Sequence, residues 1–147
     1  MNRIAKRFFA NQVGEKLKVT FTCPHQVILK DSLLNQVNMM ASTGSVGILA
    51  HHVPTLFQLK PGVLELVSDN QSSQYFVSGG FAAVNSDNTL DINAIEAFKL
   101  DDFDASKAEK LRADAEIKVK NSKNDIEVGE GEIELEVAQA ILTAIKK

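Results

Sequence analysis

A chain of 147 residues, 44% of them hydrophobic, is long enough to bury one core with a small appendage and too apolar to stay disordered. Its 16 lysines and arginines against 19 acids give a net charge of -3, and the one basic cluster lies at the very start, so no stripe exists to track a nucleic-acid backbone. The single cysteine, Cys23, excludes an intrachain disulfide framework and reads as a small core residue, and no apolar run reaches the roughly 20 residues of a spanning helix.

Residues 1–14, MNRIAKRFFANQVG, carry Arg3, Lys6 and Arg7, no acid, and apolar Ile4, Phe8 and Phe9. That pattern fits the tail of a mitochondrial transit peptide and equally an ordinary basic terminus. From 15 to 100, short segments rich in β-branched and aromatic residues recur, punctuated by Pro, Gly, Asn and Asp. KLKVTFT alternates strictly, with Leu17, Val19 and Phe21 on one side of a pleat. QVILK, NQVNMMA, VGIL, TLFQL, GVLELV, SQYFVS, FAAVN, TLDIN and EAF follow, with SDNQSS and NSDN as hairpin turns. Leu56, within TLFQL, is a candidate core position. About ten strands this short and this close leave no room for crossover helices, so the pattern predicts an all-β antiparallel sandwich.

Composition changes near residue 100. Positions 1–100 hold 7 acids and 8 bases, and positions 101–147 hold 12 acids and 8 bases, with no aromatic residue after Phe103. Asp101, Asp102 and Asp104 stand where carboxylates cap a helix and complement its dipole. Ala105, Ala108, Leu111, Ala115 and Val119 then recur at helical spacing, NSKND interrupts, and Ile133, Val137, Ala140, Ile141 and Ala144 mark a second apolar face. A helical hairpin over 101–147 is the simplest reading. Gly129 and Gly131 would each cost about 1 kcal/mol inside a helix, so the second helix is expected to become firm only after Gly131. Two thin helices bury little by themselves, so the hairpin must lean on the sandwich or on another protein.

Chemistry is hard to assemble from these residues. His51 and His52 are adjacent and point to opposite faces of a strand or turn, which prevents shared chelation of one ion, and no other cluster has metal-ligand spacing. SGG at 78–80 lacks the lysine and hydroxyl of a phosphate loop and leads into a strand, so it reads as a bulge or tight turn. STGSVG at 42–47 reads as a glycine turn. No nucleophile elbow occurs, and most of the seven acids of the sandwich fall near turns or on outward positions, so no catalytic residue, cofactor or metal is assigned. Between Asp31 and Lys60, in contrast, 28 residues contain no Asp, Glu, Lys or Arg. Outward positions without charge resemble the desolvated centre of a protein interface.

TGSVGILAHHVPTLFQLKPGVLEL followed by YFVSGGFAAVNSDNTLDINAIEAFKLDDFD resembles the central-stalk subunits of F-type ATP synthases, called delta in mitochondria and epsilon in bacteria and chloroplasts. The likeness spans roughly residues 17–147, and HVPTL and YFVSGG are closer to the mitochondrial branch. It implies a ten-strand sandwich with a helical hairpin and a non-catalytic rotor subunit on the matrix side of the mitochondrial inner membrane, membrane-associated only through its complex. The implied partners are the gamma subunit, the c-subunit ring and the small mitochondrial epsilon subunit. Ser42, Thr43, Gly44, Ser45, His51 and His52 would then lie together at the sandwich end that faces the ring. Bacterial relatives that bind ATP carry an I/L-D-x-x-R-A motif, of which Asp104, Lys107 and Ala108 are a remnant here, with Phe103 for the aliphatic residue and lysine for the arginine. Lysine does not reproduce the forked guanidinium contact, so regulatory ATP binding is not expected. The alternative to the stalk reading is a small ligand-binding or enzymatic sandwich that uses the His51/His52 region, and a third reading is an ATP sensor built on Asp104 and Lys107.

Overall fold

A computed structural model describes residues 14–146 of the chain. Apart from Gly14, the basic segment expected at 1–14 lies outside the described residues. Ten strands come first: β1 Leu17–Cys23, β2 Gln26–Leu34, β3 Gln36–Ala41, β4 Gly44–Leu49, β5 Thr55–Leu59, β6 Gly62–Val67, β7 Ser72–Val77, β8 Gly80–Val84, β9 Thr89–Ala94 and β10 Ala97–Lys99. A single 3-10 turn, Leu100–Asp102, leads into the helices α1, Ala105–Asn121, and α2, Asp125–Ile145. No helix among the described residues is long and apolar enough to cross a membrane.

The strands make one sheet curled into two limbs. One limb runs β10-β7-β6-β3 with β4 on the far side of β3, and the other runs β5-β8-β9-β1-β2. They join at one pair, Ala41 opposite Leu59. The expectation of antiparallel pairing fails once: β1 lies parallel to β9, Lys18 beside Thr89 through Thr22 beside Asn93. These strands are distant in sequence, so no tight turn dictates their direction.

Alternation sets the core. Leu17, Val19, Phe21 and Cys23 point inward from β1, while Val37, Met39, Leu64 and Val77 come from the opposite limb. Phe21 meets Tyr75 of β7 edge-to-face, ring centroids 5.7 Å apart, which locks the limbs face to face. Burial, with the Glu96 carboxylate a smaller contributor, raises the Cys23 thiol above its ordinary range, and the cysteine serves as a core residue.

A second, smaller core forms on the outer face of the first limb. Phe76 is buried there with Ala108 of α1 and Ile141, Leu142 and Ala144 of α2. Phe103 stacks edge-on against both Phe76 and Phe98, at 5.4 and 6.0 Å. The hairpin therefore leans on the sandwich through its open end, the first turn of α1 and the last turns of α2.

The helices correct two expectations. α2 starts at Asp125, not after Gly131, because Asn124 caps it by accepting a hydrogen bond from the Ile126 amide at 3.2 Å, and because Gly131 is buried in the seam with α1. Close packing across that seam outweighs the poor helix propensity of glycine. The apolar faces also shift: Ala108 and Ala115 are buried on α1, but Leu111 is 42% and Ile133 65% exposed. The sandwich reaches the end of α2 only, so the early part of its isoleucine face overhangs.

Candidate functional site

The charge-free stretch contains β3, β4 and β5, and of these β4 is an edge strand of the sheet. β4 pairs with β3 from Gln36 opposite Leu49 to Ala41 opposite Gly44, and no other strand among the described residues joins it. Edge strands are ordinarily guarded by lysine, proline or a bulge, since their open backbone groups invite pairing. Here the whole span from Ser32 to Leu59 is uncharged, and Met40, Leu49, Val53 and Leu56 are exposed within it, the last two at 69% and 68%. The candidate core position Leu56 is thus an outward residue: it pairs with Ala83 of β8 on the outer face of the second limb.

Each end of β4 is fixed by a short turn. Ser42 and Thr43 form a two-residue loop closed by the Ala41–Gly44 pair, with Gly44 at φ 121° and the Ser42 amide donating to the Gln58 carbonyl at 2.8 Å. Ser45 follows, exposed and opposite Met40. At the other end the His52 amide donates to the Leu49 carbonyl at 3.3 Å, which makes His51 the third residue of a tight turn, at φ 62°. The His51 amide donates to Asn88 Oδ1 at 2.8 Å, and its ring Nε2 pairs with the Glu15 carboxylate. His52 turns away, with Nδ1 2.8 Å from the Val53 carbonyl and its ring edge-on to Phe57 at 6.0 Å.

Ser42, Thr43, Gly44 and Ser45 are therefore not brought together with His51 and His52 at one end, as the resemblance implied. The length of β4 separates them: Ser45 to Leu49 alone spans about 13 Å of extended chain. What the two groups share is the edge.

The rings of His51 and His52 have different partners, and no three His, Cys, Asp or Glu among the described residues come together in a group able to hold a metal. Hollows among the described residues include one that reaches Met40 and, at the start of β4, Ser45, and one away from β4. One, of about 290 Å³, sits between α2 and the outer face of β3 and β6. Its acid, Glu65, already accepts from Asn38, Ser72 and Gln74 at 2.8, 2.7 and 3.2 Å. The other, of about 390 Å³, flanks the SGG crossing from β7 to β8, where a Cβ on Gly80 (φ 136°) would lie 2.2 Å from the Asn93 carbonyl oxygen. Gly80 thus serves close strand packing, and Gly79, at φ 152°, serves the backbone conformation of the crossing.

The remnant motif has structural duties. Asp104 caps α1, Oδ1 accepting from the amides of Ser106 at 2.8 Å and Lys107 at 3.4 Å. Ala108 is buried under Phe76, and the Lys107 side chain is exposed. Sequence reasoning missed Asn88, Glu15, Leu49 and Val53 as parts of the edge; the signal for Asn88 was its place at the end of the NSDN turn, where asparagine tolerates left-handed backbone.

Comparison with known proteins agrees with this architecture. Residues 16–99 match the family model described as ATP synthase, Delta/Epsilon chain, beta-sandwich domain. The mitochondrial ATP synthase subunit delta of Kluyveromyces lactis is 42% identical over 143 residues, covering 97% of this chain and 89% of the relative. That of Yarrowia lipolytica is 44% identical, covering 95% and 86%. A chain in the cryo-EM structure of the Euglena gracilis mitochondrial ATP synthase, containing OSCP, F1 and c-ring, superposes with a TM-score of 0.84 at 31% identity, covering 99% of this chain and 91% of that one. With its sandwich matched by the family model and nearly its whole length matched by these relatives, the chain belongs to the delta/epsilon family of ATP synthase subunits.

Proposed function

We propose that the chain is a non-catalytic coupling piece in the central stalk of a mitochondrial ATP synthase. It transmits rotation of the c-subunit ring to the gamma shaft and catalytic head, and performs no bond-making of its own. The sandwich, 15–100, is the coupling body, and the hairpin, 101–147, braces it beside gamma and the small epsilon subunit. The complex holds it on the matrix side of the inner membrane. Transmission of torque requires broad, complementary burial without slip more than any single strong contact.

The observation that carries this reading is the uncharged β4 edge, flanked by exposed Leu49, Val53 and Leu56 on a sandwich locked by the Phe21–Tyr75 contact. Such an edge suits a permanent neighbour, because charge is costly to bury there. Along it, Ser42 to Ser45 and His51 to His52 form two ends of one strip facing the ring. The test is to replace the chain with Ser45→Glu or Val53→Asp and purify the complex in mild detergent. Loss of the chain, or loss of proton-driven synthesis with ATP hydrolysis retained, is the expected result; normal stoichiometry and synthesis in both variants would refute it.

A further inference from the structure

Among the described residues, three with a side chain adopt positive φ: Asp31, His51 and Asn88, at 46°, 62° and 63°. Two of them are bonded to each other. His51 occupies the third position of the turn that ends β4, where glycine or asparagine is ordinarily required. Asn88 closes the β8–β9 turn, held by the Asn85 amide donating to the Thr89 carbonyl at 2.9 Å, again at a position that favours glycine. Glycine would satisfy either turn alone, so the residues present are there for their side chains or for what holds them.

The Asn88 carboxamide has two partners. Its Oδ1 accepts from the His51 amide at 2.8 Å, and its Nδ2 donates to the Lys16 carbonyl at 2.9 Å. Its own carbonyl accepts from the Lys18 amide at 3.2 Å. One side chain thus ties the β4–β5 loop to the segment entering β1, and that segment supplies Glu15, the partner of the His51 ring. The loop so anchored carries His52 and the exposed Val53, and Pro54 restrains its exit.

We propose that Asn88 is the positioning residue of the His51–Pro54 loop: its carboxamide holds His51 in left-handed backbone and thereby sets the outward face of the loop. Its importance for coupling rests on the stalk function proposed for the chain. Asn88→Gly keeps the turn conformation and removes the side chain, whereas Asn88→Asp keeps an acceptor at Oδ1 and loses the Nδ2 donor to the Lys16 carbonyl.

The experiment is amide hydrogen exchange on the full chain, followed by NMR. Asn88→Gly should speed exchange at His51 by about tenfold or more while core amides of β8 and β9 stay protected, and Asn88→Asp, which keeps the acceptor for the His51 amide but sets a second acceptor against the Lys16 carbonyl, should restore only part of the protection. Unchanged exchange at His51 in Asn88→Gly overturns the proposal, as does a uniform rise through β8 and β9, which marks a structural role only. A separate arm places a cysteine-directed crosslinker at Val53→Cys in the assembled complex, with and without Asn88→Gly. A several-fold drop in c-subunit adduct with Asn88→Gly supports the positioning role. Absence of any adduct in the parent Val53→Cys complex defeats the ring-contact reading, and the exchange result then decides the positioning claim by itself.

Discussion

Gly131 of α2 lies so close to Val119 of α1 that a Cβ on it would fall 2.8 Å from Val119 Cγ2 and 3.3 Å from the Val119 backbone nitrogen. The two helices meet there backbone to side chain, and Lys118 reinforces the contact by bonding Glu134 at 2.8 Å and Glu130 at 3.4 Å. Gly129, one half-turn earlier, has nothing within 4 Å of its would-be Cβ. The same substitution should therefore have opposite signs at the two sites. Gly129→Ala should raise stability by about 0.5–1 kcal/mol through helix propensity, and Gly131→Ala should lower it by about 1–3 kcal/mol through overpacking. Urea unfolding of both variants checks the pair.

Asp104 acts as the N-cap of α1, with its carboxylate committed to the amides of the first turn. Asp104→Ala should cost about 1 kcal/mol, and Asp104→Asn or Asp104→Ser should recover most of it, since each supplies an accepting oxygen. Calorimetric titration with ATP should show no binding to the parent chain; saturable binding abolished by Asp104→Ala would reinstate the nucleotide-sensor reading.

Acid should loosen the turn side of the sandwich at a definable point. Asp69 accepts from Lys16 Nζ and, at 3.0 Å, from Asn35 Nδ2, and these bonds, Lys16 first, hold its carboxyl below the usual range. A depressed folded-state value means that the contribution to stability is complete above the unfolded carboxyl value, about pH 4, and is lost as pH falls through the folded value. Because the pair is exposed, the effect should be small and salt-sensitive. Stability against pH between about 5 and 2 should be flatter in Asp69→Asn than in the parent.

Much of this architecture was legible because β1, β3, β6 and β9 obey a period of two, and a one-residue slip would expose Leu17, Val19 and Phe21 together. What was illegible depends on distant partners. Gly131 looks like a helix breaker until Val119 is beside it. Ile133 sits on a good apolar face, but whether the sandwich extends beneath it is decided by where α2 docks on Val63 and Phe76. The Asn88–His51 bond joins residues 37 apart, each read alone as an ordinary turn residue. Ser45 and His52 are near neighbours in sequence, and that nearness hid the fact that an extended strand holds neighbours apart.

If the chain couples ring to shaft through its β4 edge, a partner must cover that edge in the working motor. Photo-crosslinking side chains placed at Ser45 and at Val53 in the intact complex probe this coverage, read together with labelling of the same positions by a hydrophilic maleimide after substitution to cysteine. Adducts with the c-subunit ring should form from both positions, and labelling should be suppressed relative to the free chain. Equal labelling in complex and free chain, with no adduct from either position, would mean that the edge stays open to solvent and that coupling runs through another surface.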